Sequence, residues 1–198
     1  EKEQFFNKDL VNKIDKSLNQ ELASHTFSHL FLKEKGVSYN NFLLDNNSFN
    51  EICRRNKINN IKTIIFPRNQ INFIEHFNKT NLKIYRGNQS DWYFNVAEKK
   101  HKRKLAKLFR FFDLHFSFKD RTVHIKSSNG IYNLKSSMFL RPYDLNILVK
   151  MRLKRIKQQM RIAKNNNRIF HLWWHPHNFG TNLNKNLEIL NEIMTYSN

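Results

Sequence analysis

Very little in this sequence is available for cross-linking or for tight turns. Its 198 residues include one cysteine, three prolines and four glycines. Cys53 alone can form no intrachain disulfide and no Cys-based zinc site, so disulfide scaffolds and zinc ribbons are excluded. It lies in a segment of helical pattern and reads as a buried, inert thiol. With so little Pro and Gly there is no linker-like stretch, and a single domain over residues 1–198 is expected. No apolar run approaches the roughly 20 residues of a membrane-crossing helix, and none reads as a signal peptide. A cytoplasmic or membrane-peripheral location is therefore the expectation. Acidic residues are also scarce: 16 Asp and Glu stand against 35 Lys and Arg, for a formal charge of +19.

Such a charge attracts anions, whether nucleic acid, acidic glycan or a membrane surface. Asn and Ile are abundant alongside Lys, as in Asn56-Lys57-Ile58-Asn59-Asn60. A general composition bias is therefore an equal account of the charge. Hydrophobic residues make up 39% and aromatics 14%, with 18 Phe. That is too apolar for a disordered chain, and a folded core is expected.

Helical and strand patterns alternate along the chain. Helices are expected near 9–18, 42–57, 71–78, 96–112, 144–164 and 183–194. Strands are expected near 21–24, 61–66, 82–85, 122–125, 131–134 and 169–174. Leu148, Met151, Ile156 and Met160 are read as the apolar stripe of the fifth helix, and Phe109, Phe111, Phe112 and Phe116 as core. Polar and His-rich segments follow the strands, as in a parallel α/β barrel or sheet whose chemistry sits at strand ends.

His25 and His29, in Ser24-His25-Thr26-Phe27-Ser28-His29, stand four apart. On a helical turn that spacing puts two imidazoles on one face, where both can ligate a metal such as zinc. His171 and His175 share the spacing, but in a strand-like run it does not imply adjacency. Around these residues the chain resembles the polysaccharide deacetylases, the family with the NodB-homology domain. Glu21 to His29 is similar to that family's His-Ser/Thr-x-x-His segment. Phe66-Pro67-Arg68-Asn69-Gln70 stands where the family has a loop with Arg and Pro. Ser90-Asp91-Trp92 resembles its Asp-Trp motif, and Leu172-Trp173-Trp174-His175-Pro176 its Leu-x-x-His motif. The four follow in family order over about residues 21–180.

The resemblance implies a distorted or incomplete (β/α) barrel and metal-dependent removal of an N-acetyl group from a sugar or polysaccharide. It implies His25 and His29 as ligands of a divalent metal, most simply zinc, with cobalt or nickel as alternatives. His175 would be the general acid for the leaving amine. Asp91 would tune that histidine, and Arg68 would orient the catalytic carboxylate. Trp92 would wall the sugar pocket. Trp173 and Trp174 alternate faces, so that one packs in the core and the other, taken as Trp174, lines the pocket. His177 would contact substrate. The family's first motif, an Asp-Asp strand end supplying the base and a third ligand, has no counterpart here, for no Asp-Asp pair occurs. Truncation at the N-terminus is the expectation, preferred to Glu21 serving as a substitute carboxylate. The alternative is a non-catalytic basic module holding nucleic acid or acidic glycan through the Lys99-Lys100-His101-Lys102-Arg103-Lys104 run. No recognised nucleic-acid-binding motif accompanies that run, which reads more simply as a solvated helix face.

Overall fold

The computed structural model describes residues 7–58, 61–94, 100–116 and 119–197, with side chains omitted at 100–103. It is a mixed α/β structure of two compact units. The first comprises residues 1–87 and 126–133, and the second 88–125 and 134–198.

In the first unit, helix α1 spans Lys8–Asp15 and is capped by the Asn7 side chain, which accepts from Leu10 N. Helix α2 spans Tyr39–Arg55 and starts at a reciprocal Ser38/Asn41 capping box. That pair satisfies amide groups that a helix start otherwise leaves unbonded. Strands β1 (Thr63–Ile64), β2 (Ile84–Tyr85), β3 (Ser127–Ser128) and β4 (Ile131–Asn133) form one sheet in the order β1-β2-β4-β3. β1, β2 and β4 run parallel, and β3 closes an antiparallel hairpin through Asn129-Gly130. Both turn residues have positive φ, the conformation a tight hairpin demands and Asn and Gly tolerate. Ser24 adds a parallel bridge to Ile64 on the far side of β1. Leu32, Phe42, Ile64, Phe66, Phe77 and Leu82 form the core. Cys53 is buried as expected, and burial pushes its thiol pKa up. Just after β2, Gly87 lies so close to the end of the Asn133 side chain that a Cβ there would displace the Asn133 amide.

In the second unit, helix α3 spans Lys100–His115, α4 Asn146–Asn165 and α5 Leu183–Ser197. Strands β5 (Met138–Phe139) and β6 (Leu172–Trp173) pair in parallel. Met138, Leu140, Val149, Leu153, Ile156, Phe179, Ile189 and Ile193 form the core.

Two expectations about packing are corrected here. Of the expected stripe of α4, Ile156 is buried in the core and Met160 packs half-buried against it, but Leu148 and Met151 are only partly covered: the buried face runs through Val149, Leu153, Ile156 and Ala163, and it includes Arg152, Arg155 and Gln159. The arginines are buried because they are paired. Arg152 meets Asp144 at 2.8 Å, Arg155 meets Asp113 at 3.2 Å and donates to the Phe116 carbonyl, and Arg121 bridges Asp113 and Asp91. An unpaired buried guanidinium would be far too costly. The second correction concerns the Phe cluster. Phe109, Phe111, Phe112 and Phe116 are 37–44% exposed rather than core, because the inner face of α3 is given to Ala106, Asp113 and Leu114.

Candidate metal and acid–base site

The His25–His29 segment is not helical. Ser24 hydrogen-bonds in register with β1, donating to the Thr63 carbonyl at 2.8 Å and accepting from Ile65 N at 2.8 Å. The chain then leaves the sheet in a loop where Thr26 and His29 take left-handed backbone conformations, φ 62° and 57°. For a β-branched residue such as Thr26 this costs energy, and the surroundings hold it. The Thr26 hydroxyl accepts from Leu30 N at 2.8 Å. Asp45, buried on α2, accepts from Phe27 N at 2.7 Å, from Ser28 N at 2.9 Å and from the Ser28 hydroxyl at 2.5 Å.

So pinned, the loop brings the two imidazoles together after all, with ring centroids 4.9 Å apart at 64°. His25 Nδ1 lies 2.6 Å from the Ile65 carbonyl. A carbonyl only accepts, so Nδ1 carries a proton and, in the neutral ring, the lone pair sits on Nε2. Buttressing of this kind by a carbonyl is what orients metal-ligating histidines. His29 packs edge-on to Phe31 at 5.2 Å, and the Arg68 guanidinium lies over the other ring, 4.0 Å from the Phe31 centroid. Arg68 and Asn69 follow β1 and also have positive φ, and Asn69 accepts from Arg86 at 2.6 Å. His25, His29 and Arg68 thus gather beyond the C-terminal ends of parallel strands, where α/β proteins place their chemistry.

Glu21 accepts from the Thr63 hydroxyl at 2.6 Å. Among the described residues, no group of three His, Cys, Asp or Glu side chains is arranged to hold a metal ion. The two imidazoles therefore fit as two of the three protein ligands that a catalytic zinc takes.

Comparison of the chain with protein-family models, curated proteins and solved structures returned no match. What it does rests on its own residues.

The other candidates lie in the second unit. His175 follows β6 and stacks on His177 at 5.2 Å, 18° from parallel. Trp173 meets His175 edge-on at 5.4 Å, and Phe139 of β5 lies 4.6 Å from Trp173 and 6.3 Å from His175. Trp174 faces the opposite way, stacked on Phe179 at 6.0 Å and packed against the core. Trp173 is thus the indole beside His175, as alternation along a strand requires.

Asp91 is held by Lys119 and Arg121. Burial pushes its carboxyl pKa up, but the hydrogen bonds and charges of those two cations outweigh this and hold it below the ordinary carboxylate value. Trp92 is 46% exposed and packs edge-on against Phe109 at 5.3 Å.

Sequence reading missed Asp45, Phe31 and Phe139. Asp45 alone left a signal, as a carboxylate on the Phe42–Phe49 face of an amphipathic helix.

Proposed function

We propose that the protein is a metal-dependent hydrolase that removes N-acetyl groups from a sugar or polysaccharide, on an incomplete (β/α) barrel of the deacetylase type. The observation that carries this reading is the pinned loop that sets His25 and His29 4.9 Å apart with His25 oriented by a carbonyl. These two residues would hold a divalent ion, zinc being the simplest choice, with the remaining donors supplied by water or by a carboxylate outside this pair. The ion would supply Lewis-acid polarisation of an amide carbonyl and a water nucleophile at neutral pH.

The chain's own residues do the rest. On this reading His175, in the second unit, would be the general acid for the departing amine, a role to which an imidazole is suited near neutral pH. His177 and Trp173 keep its ring in place. Arg68 presents a fixed cation to a carboxylate. Trp92 offers an aromatic face to the apolar side of a pyranose ring.

The test is bound metal per chain by elemental analysis, for untagged wild type and for His25→Ala/His29→Ala. Metal should copurify with wild type and disappear in the double variant. Acetate release from N-acetylglucosamine oligomers should then fall at least about a hundredfold in His175→Ala. A wild-type chain that binds no zinc, cobalt or nickel, or a His175→Ala variant at full rate, would rule the reading out.

A further inference from the structure

Helix α3 carries an apolar stripe that remains about half exposed among the described residues, with Trp92 and Tyr93 packed on Phe109 alone. Leu105, Leu108, Phe109 and Phe112 are 49%, 50%, 44% and 41% exposed. At about 100° per residue they fall within roughly a 100° arc, one face of the helix. Trp92 extends the patch, 46% exposed and 5.3 Å from Phe109. Beneath it lies a cavity of about 540 Å³, lined by Trp92, Tyr93, Phe109, Phe112, Asp113 and Lys119.

The rest of the helix is cationic. Its sequence, Lys-His-Lys-Arg-Lys-Leu-Ala-Lys-Leu-Phe-Arg-Phe-Phe-Asp-Leu-His, has six Lys and Arg against Asp113 alone. Asp113 is consumed by Arg121 and Arg155. Lys104 and Lys107 are exposed, while the rim residue Lys119 is paired with Asp91.

We propose that α3 seats the protein on an anionic membrane surface, with Leu105, Leu108, Phe109, Phe112 and Trp92 entering the headgroup–acyl boundary, Lys104 flanking them at the level of the lipid phosphates, and Lys107 adding to the attractive field from the outer side of the helix. A basic helix with one Phe- and Leu-rich face is the pattern of an in-plane membrane helix, and Trp prefers the interface. Charge complementarity selects this occupant. A second copy would bring +19 against +19. A nucleic acid would satisfy the cations but leave Leu105 and Leu108 with no partner, because bases stack on aromatic rather than aliphatic side chains. No described helix is long and apolar enough to cross a membrane, so the helix lies on the surface. This inference does not depend on the deacetylase reading, and its test uses no metal or activity measurement.

The test is co-sedimentation of the full chain with vesicles of phosphatidylcholine alone and of phosphatidylcholine mixed with phosphatidylserine. Wild type should bind the mixed vesicles, bind the neutral ones about tenfold or more weakly, and be released by high salt. Leu105→Ser/Leu108→Ser, at positions already half exposed, should weaken binding about tenfold or more while leaving the unfolding midpoint unchanged. Lys104→Gln/Lys107→Gln should weaken binding to mixed vesicles only. Equal binding to both vesicle types, or undiminished binding by the two double variants, overturns the proposal. So does a wild-type dimer in sedimentation that Leu105→Ser/Leu108→Ser dissociates, because the stripe would then be a contact between copies.

Discussion

Asp45→Ala should disarm the histidine pair without touching either ring. The Asp45 carboxylate, 7% exposed, takes three hydrogen bonds from a loop that also has to hold Thr26 and His29 at positive φ. A hydrogen bond to a charged group contributes about 1.5–3 kcal/mol net. The loop is partly exposed, so water can rebond some of the freed amides, and about 2–4 kcal/mol in total is the reasonable figure. At about 1.4 kcal/mol per decade, that is roughly a 30- to 700-fold shift toward loop conformations that separate the imidazoles. Zinc affinity should fall by a comparable factor, read by competition with a coloured chelator, and amide exchange at Phe27 and Ser28 should speed up to match. Asp45→Asn keeps one accepting oxygen but points an NH₂ at a donor, and should fall between Ala and wild type. If Asp45→Ala kept wild-type zinc affinity and wild-type exchange at those two amides, the idea that this carboxylate sets the histidine geometry would be wrong.

Two further predictions concern the charged interior of the second unit. Burial and the neighbouring Arg152 push the His115 imidazole pKa below its ordinary value, against the opposing pull of the Phe111 carbonyl and Asp144. Because the unfolded chain takes up this proton first, the stabilisation is complete above about pH 6.5 and is lost as pH falls from there through the depressed folded value. Urea midpoints should drop between about pH 7.5 and pH 5, and the drop should shrink in His115→Gln; an identical drop in both proteins would mean His115 stays protonated or carries no weight. Asp113→Ala strips a carboxylate from two buried guanidiniums, Arg121 and Arg155. It should cost about 3–5 kcal/mol in urea unfolding, and a change below about 1 kcal/mol would show that water reaches the arginines.

What the sequence discloses here follows what side-chain periodicity can encode. The helices near 9–18, 42–57, 144–164 and 183–194 appear within a few residues of their expected bounds, with Lys8–Asp15, Tyr39–Arg55, Asn146–Asn165 and Leu183–Ser197 observed. The helix expected over 96–112 is seen as Lys100–His115, and its first turn falls partly on residues 95–99, outside those described. The segment near 71–78 is a 3-10 turn over Ile74–Lys79 rather than an α-helix. β5 carried no signal, since Met138-Phe139 is too short to show alternation. The buried face of α4 was hidden because Arg152 and Arg155 look solvated until Asp144 and Asp113 are found, 8 and 42 positions away. At the site, the spacing of His25 and His29 led to their proximity through the wrong local geometry. They meet across two left-handed residues held by Asp45, not along a helical turn. No local pattern contains a contact between residues 17 or 18 positions apart.

The placement of the β3–β4 hairpin has a consequence for how the chain is made. The first unit is discontinuous: its parallel sheet runs from Ile84-Tyr85 of β2 directly to Tyr132-Asn133 of β4. During synthesis β1 and β2 leave the ribosome long before their neighbour does, and β2 waits with one edge unsatisfied while α3 and the segments around it are translated. The histidine loop is anchored to the same sheet through Ser24 and β1. Its final order therefore depends on a stretch of chain that emerges late, and a nascent protein halted before Asn133 would display His25 and His29 on a sheet not yet closed.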